Sequence, residues 1–420
     1  MSAPAKEQYC VEHAVIDRCR CCESERLEPV LDFGETPLAD RLLNEITVGE
    51  PEPVCPLSVV FCHDCSLLQI RETVPPEILF PGDYPYFSSV SDGLLRHFNG
   101  NVEEARARKP VDENSLVIEL ASNDGYLLRN YKAAGIPALG IDPAEGPVRE
   151  ARARGIETMH DFFTSELAVR LHADGIAADI VHANNVLAHV ADTNGFVSGI
   201  ATILKDDGLV VVECPYVHDL IVKCEFDTIY HQHLCYFSLH ALCALFGRHG
   251  LYVNDVQRIA IYGGSIRLFI GKGDEPGENV RQLLRDETDA GVTDGAFYKD
   301  FAERISANRD ALIRLLDELK SDGARIAGYG APAKACTLMA FMGIGGNYLD
   351  YFVDKSRFKQ GLYYPGDRLP IHPPERLLED APNYALLLSW NFADEILSEQ
   401  AEFRRRGGRF VIPIPELKVL

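Results

Sequence analysis

Two Cys-x-x-Cys pairs, Cys19/Cys22 and Cys62/Cys65, constrain this chain more than any other feature. Each pair brings two thiolates to one side of a tight turn, and two such turns complete a tetrahedral four-sulfur zinc site. Thirty-nine residues separate Cys22 from Cys62. The metal would therefore staple two distant turns of a small module, placed at residues 1–80. Cys21 and His63 stand beside the expected ligands and are possible substitutes. A redox role for the pairs is the rival reading, but no thioredoxin-like βαβ pattern surrounds either of them. Four protein ligands make such a site closed and structural.

The remaining chain is long enough for about two further domains among its 420 residues. With 46% apolar and 25% charged residues it has the balance of a soluble globular protein. Its net charge of −22 repels bare nucleic acid and anionic membrane and is compatible with a monomer. No apolar stretch is long enough for a transmembrane helix, and MSAPAKEQYC lacks the apolar core of a secretion signal. A cytoplasmic location is expected, where cysteines are thiols or metal ligands.

From residue 115 strands alternate with helices, which implies a mostly parallel sheet. LVIEL (116–120), ALGID (138–142), ADIVHANN (178–185) and GLVVVECP (208–215) read as buried strands, and 251–271 as an antiparallel hairpin closing one edge. The turn after the first strand runs from Ala121 through Asn123, Gly125, Tyr126 and Leu127, in the position of a dinucleotide or adenosine cradle. The full glycine fingerprint is absent, which disfavours a diphosphate. Asp142, followed by Pro143, ends the second strand where an acid can accept from both ribose hydroxyls. Asp161, followed by Phe162, is placed to read an adenine edge, and Glu119 to hold the loop or a cationic group. An adenosine site without a diphosphate matches S-adenosylmethionine. A generic Rossmann unit, with Asp142 a surface cap, is the alternative.

EFDTIYHQHLCYFSL follows the fourth strand and packs Tyr230, His231, Gln232 and His233 together at the carboxyl edge of the sheet, where α/β ligands bind. His233 suits a general base and Tyr230 can hydrogen-bond a developing enolate. Asn184, Asn185 and His189 lie at the end of another strand. His-x-His as a metal pair, or as a structural loop, are the competing readings. Residues 275–420 begin with a polar helical run, then start a second strand–turn–helix series. There GYGAPAKA (328–335), with Lys334, opens a helix that favours anions, with a tight structural turn as the alternative. SWNFADEI, with Ser389, Trp390 and Asn391, faces the same cleft.

CRCC…CHDC, ELASNDGYLL, NNVLAHV, EFDTIYHQHLCYFSL and GYGAPAKA occur in one order over nearly the whole chain. In these the chain resembles nucleotide-sugar C-methyltransferases, in particular the dTDP-sugar C-3′-methyltransferases of antibiotic deoxysugar pathways. The resemblance implies an α/β protein of three parts: an N-terminal zinc-binding module (1–80), a central Rossmann-like class I methyltransferase domain with its connector (81–274), and a second Rossmann-like domain (275–420) that helps hold the nucleotide-sugar. It implies a dTDP-4-keto-deoxysugar substrate. It also implies His233 as base, with Tyr84, Tyr230 and His189 contacting substrate or enolate, and Asn184 and Asn185 lining the cofactor and substrate pockets. Gln232 stands where the family motif usually has glutamate, and glutamine cannot ionise. An O- or N-methyltransferase, or a weakly active nucleotide-sugar binder, are the alternatives. Elemental analysis of purified protein is expected to give about one zinc per chain; a folded, metal-free protein would overturn the cysteine reading.

Overall fold

The computed structural model describes residues 7–79, 87–90 and 92–420. In the N-terminal module the strands are β1 (Gln8–Cys10), β2 (Ala14–Val15), β3 (Leu27–Pro37), β4 (Glu52–Cys62), β5 (Leu68–Ile70) and β6 (Glu72–Thr73). β4 is the spine: β3 and β5 pair antiparallel to it, and β1 pairs parallel near its start. Leu57, Val59, Phe61, Leu67, Leu68 and Ile70 are fully buried and join the apolar core of the two larger domains. Burial of each such side chain is worth about 1.5–3 kcal/mol, so much of the module's stability comes from docking on its neighbours.

The central sheet contains β7 (Val117–Leu120), β8 (Ala138–Asp142), β9 (Glu157–His160), β10 (Ala178–Asn184) and β11 (Leu204–Pro215). β12 (Cys235–Tyr236) follows, and β13 (Tyr252–Ile259) and β14 (Ser265–Gly271) form the expected antiparallel hairpin. The order is β13-β14-β11-β10-β7-β8-β9, with β14 antiparallel to β11 and β7–β11 parallel. Strand order reverses between β7 and β10, and the carboxyl ends there open a crevice for ligands. Three crossover helices start on side-chain caps, at Thr164, Asp192 and Ser238, which accept from the amides three residues on.

β12 does not belong to the central sheet. It pairs antiparallel with β5, Cys235 opposite Gln69 and Tyr236 opposite Leu68. The module's sheet is thus completed by the residues just after His233, a long-range pairing that periodicity over a two-residue strand cannot reveal.

Helices Glu278–Asp289 and Ala296–Ser321 lead to the C-terminal sheet of β15 (Ile326–Tyr329), β16 (Phe352–Val353), β17 (Ile371–His372), β18 (Tyr384–Leu387), β19 (Arg409–Ile412) and β20 (Lys418–Val419). Its order is β17-β16-β15-β18-β19-β20, parallel except for β20. The sequence predicts a last strand through 408–416. β19 instead ends at Ile412, because Pro413 and Pro415 have no N–H for a ladder, and β20 returns beside it.

The module touches both larger domains. The Thr193 hydroxyl and Asn194 amide donate to the Arg20 carbonyl at 2.7 and 2.8 Å. On the other side Leu43 and Tyr363 exchange backbone hydrogen bonds, and Gly366 N–H donates to Glu52 at 2.7 Å. Removing the metal is expected to lower the melting temperature and turnover together, since β12 and the loop before it hang on β5. Chelation with turnover and thermal unfolding followed in parallel tests this; full turnover in zinc-free protein would sever the link.

Candidate active site and metal centre

The Cys19, Cys22, Cys62 and Cys65 sulfurs all lie within 4.8 Å of one another, with Cys19–Cys65 and Cys22–Cys62 each at 3.5 Å. Zinc–sulfur bonds of about 2.3 Å in a tetrahedron put sulfurs roughly 3.8 Å apart, so the four fit the ion. The substitutes drop out: the Cys21 thiol faces the Ala241 carbonyl at 3.6 Å, and the His63 ring pairs with Glu28 at 2.9 Å. Gln69 Nε2 donates to Cys19 Sγ at 3.2 Å and orients it. This is the one such group among the described residues.

At the carboxyl end of β7 the chain takes positive φ at Ala121, Asn123 and Gly125. Gly125, at φ +76°, has no room for a side chain: a Cβ would sit 2.4 Å from Ile156 Cδ1. Asp142 ties the turn down, its oxygens accepting from Asn123 N–H and Ala144 N–H, both at 2.8 Å. Burial pushes the Asp142 carboxyl up from its usual range, against those two donors. Burial pushes Glu119 further up, opposed by the nearby Tyr126 hydroxyl and reinforced by Asp142 and Asp124. Tyr126 and Leu127 pack into the core. Pro143 accepts from His160 Nε2 at 2.9 Å, and Asp161 N–H donates to the Asp142 carbonyl at 3.2 Å, so the ends of β8 and β9 form one ledge. Asp161 lies 3.6 Å from Arg170, and Phe162 is exposed on that ledge.

Across the crevice the Asn184 amide is buried with neither its oxygen nor its nitrogen hydrogen-bonded, and Asn185 Oδ1 is also without a partner. Leaving such groups unpaired costs about 1–3 kcal/mol each. Together with the ledge and the two carboxyls they fit an adenosine ligand bearing a cationic tail, such as S-adenosylmethionine.

His233 sits beside this crevice. Its Nδ1 lies 2.9 Å from the Thr228 carbonyl, an obligate acceptor, so Nδ1 carries the proton. The Tyr230 hydroxyl donates to Nε2 at 2.9 Å. The His189 ring stacks edge-on to His233 at 4.7 Å. Burial, reinforced by His189, pushes His233 down to about 3, against the Thr228 carbonyl; burial pushes His189 down to about 4, opposed by the Gln232 carbonyl. Both rings are neutral at physiological pH. Gln232 turns its side chain away, donating to the Leu79 carbonyl at 3.5 Å, and His231 reaches the Pro56 carbonyl at 3.0 Å. Tyr84 lies outside the described residues.

In the C-terminal domain Gly330, at φ +86°, lies so close to Ser389 that a Cβ would meet its Oγ at 2.1 Å. Lys334 is half-buried over the Trp390 ring, 3.4 Å from its centre, and 3.9 Å from Asp227. Burial pushes the Lys334 ammonium down to about 8, opposed by Asp227 and Glu225. Its charge thus faces a carboxylate and an indole of the shared cleft, in addition to any anion bound there. Asn391 is half-buried in the same short turn as Trp390. Asp227 and Thr337 were not singled out by the sequence reading. Asp227 lies inside the EFDTIYHQH run, and that was the available signal.

Three family models match in chain order: a zinc binding domain over residues 19–80, a methyltransferase domain over 96–256, and a C-methyltransferase C-terminal domain over 260–415. The chain is 37% identical to C-methyltransferase NovU of Streptomyces niveus, over 96% of this chain and 97% of that protein. It is 27% identical to the ubiquinone biosynthesis O-methyltransferase of Azorhizobium caulinodans over 29% of this chain and 47% of that one. Among solved structures, the magnesium protoporphyrin IX methyltransferase ChlM of Synechocystis PCC 6803 with bound SAM covers 43% of this chain and 80% of its own, at 15% identity and a TM-score of 0.33.

Because His189 and His233 titrate below the usual 6.5, the unfolded chain binds more protons than the folded one between about pH 3 and 6.5. Stability is full above that window and falls as pH drops through it, by about 2 kcal/mol per ring at pH 5. Thermal unfolding from pH 7 to 5 should show the decline, and His189→Asn or His233→Asn should flatten it; an unchanged slope in both variants would contradict the burial argument.

Proposed function

The chain belongs to the C-methyltransferase family, and on that premise we propose that it methylates C3 of a dTDP-linked 4-keto-deoxysugar, of the 3-amino-2,3,6-trideoxy type, using S-adenosylmethionine. The observation that carries this reading is the neutral His233, with its Nε2 lone pair turned toward Tyr230 beside the crevice. C-alkylation at this carbon needs a proton acceptor next to an oxyanion donor, and the pair supplies both.

The C4 ketone acidifies the C3–H bond. His233 Nε2 takes that proton while the electron pair moves onto the C4 oxygen. Tyr230, released from Nε2, donates to that developing oxyanion, and the His189 ring flanks it. S-adenosylmethionine, when bound, supplies the electrophilic methyl group. Asp142 and the β8–β9 ledge would hold its adenosine, and Glu119 and Asn184 its polar tail, with Asn185 on the substrate side. Lys334, Ser389, Trp390 and Asn391 line the side from which the nucleotide diphosphate would enter, and Tyr84 is assigned to the sugar by resemblance. Gln232 faces Leu79 and takes no proton, so the reading does not need a glutamate there.

An O- or N-methyltransferase would leave the C3 proton in its product. Incubation with S-adenosylmethionine and a dTDP-4-keto-2,3,6-trideoxy-3-aminohexose should give a product heavier by one methyl-for-hydrogen replacement and lacking the C3 proton by NMR. His233→Asn should keep cofactor binding and lose about 10²–10⁴-fold in turnover, whereas Gln232→Glu should change turnover far less. Methylation with the C3 proton retained, or near-normal turnover in His233→Asn, would sink the mechanism.

A further inference from the structure

The base does not hold itself in place. The proton on His233 Nδ1 is fixed by the Thr228 carbonyl, and Thr228 ends the short turn Phe226–Thr228. That turn is gripped from the C-terminal domain at two points. Asp227, fully buried, accepts from Trp390 Nε1–H at 2.7 Å and faces Lys334 at 3.9 Å. One residue beyond Thr228, the Ile229 carbonyl accepts from the buried Thr337 hydroxyl at 2.6 Å. Below the turn, Phe226 meets Phe33 of the module at 6.3 Å and Phe341 of the C-terminal domain at 5.7 Å, and those two rings meet each other at 5.4 Å.

We infer that Asp227, Trp390 and Thr337 are positioning residues, through which the C-terminal domain sets the tautomer and aim of His233. The inference rests on His233 as the base. Trp390 thereby has a task besides lining the cleft, and the C-terminal domain acts on the proton transfer as well as on the nucleotide. If the Thr228 carbonyl drifts, Nδ1 loses its acceptor. The ring can then carry its proton on Nε2, where it cannot receive one from C3. Among the described residues, the hydrogen bonds of the His233 ring that depend on which nitrogen is protonated are those to the Thr228 carbonyl and the Tyr230 hydroxyl.

The test reads the imidazole directly. Full-length, zinc-loaded protein with isotope-labelled histidine gives nitrogen shifts that separate the two tautomers, with His233 assigned by its loss in His233→Asn. Wild type should show the Nδ1–H form. Thr337→Val, which keeps the shape and removes the donor, and Trp390→Phe, which keeps an aromatic ring but removes the N–H, should each give a mixed tautomer. For Thr337→Val, kcat on the 4-ketosugar should fall at least tenfold with KM changed less than twofold. Thr337→Ser, which keeps the hydroxyl, should restore both the wild-type spectrum and kcat. A mixed tautomer in the variants, with no turnover of this sugar even by wild type, would uphold the positioning role and reject the substrate. Wild-type His233 signals in both folded variants would overturn the inference. Should Trp390→Phe not fold, the isosteric Thr337→Val decides alone.

Discussion

The segment from Phe226 to Tyr236 is largely buried yet holds only one short turn and a two-residue strand. Its peptide groups must therefore be satisfied from outside, because an unpaired buried N–H or C=O costs about as much as a lost hydrogen bond. Each domain supplies some. Leu234 N–H donates to Ala188 of the central domain at 2.7 Å, and the Leu234 carbonyl accepts from Ile70 of the module at 3.0 Å. Thr337 of the C-terminal domain takes the Ile229 carbonyl. Successive side chains of the run diverge: His231 and Gln232 reach the module, at the Pro56 and Leu79 carbonyls, and His233 turns to the Thr228 carbonyl and Tyr230. Three otherwise conventional folds are thus arranged around a loop that none of them could hold alone.

Charge is managed in the same way. The chain is strongly acidic, yet it buries carboxyls at Glu119 and Asp142 by the crevice, at Glu225 against Gly263, and at Asp227 beside Trp390 and Lys334. Desolvation opposes ionisation in each; at Asp142, Glu225 and Asp227 a cation or a set of N–H donors offsets it, whereas Glu119 has the nearby Tyr126 hydroxyl and two further carboxylates around it. Asp142 has two backbone N–H groups, and Asp227 has the indole N–H and Lys334. On the proposed reading, a cofactor with a sulfonium and an ammonium would meet the buried Glu119 carboxyl already in place.

Much of this was legible in the sequence for local reasons. β7, β8 and β10 are short apolar runs bounded by turn residues, the hairpin of β13 and β14 is separated by a glycine pair, and Ser238 announces its helix as an N-cap. The four zinc ligands followed from spacing alone, and the exclusion of Cys21 and His63 needed coordinates, because adjacent residues in a knuckle point to opposite sides. What escaped was long-range. β12 is too short for any period to mark, and Asp227 reads as one more acid in a polar run until Trp390 is brought to it from the far end of the chain. That Lys334 and Trp390 stack on one another depends on side-chain packing and leaves no trace in spacing.

The pairing of β5 with β12 bears on how the polypeptide is made. During synthesis the module emerges first, with the outer edge of β5 exposing unpaired peptide groups, a template for another chain's strand. That edge stays open until β7–β11 and the loop after them have left the ribosome. The zinc staple holds the two knuckles through this interval but cannot cap the edge. The module is therefore an early nucleus without being an autonomous unit, and its last strand arrives only once the central sheet is available to deliver it.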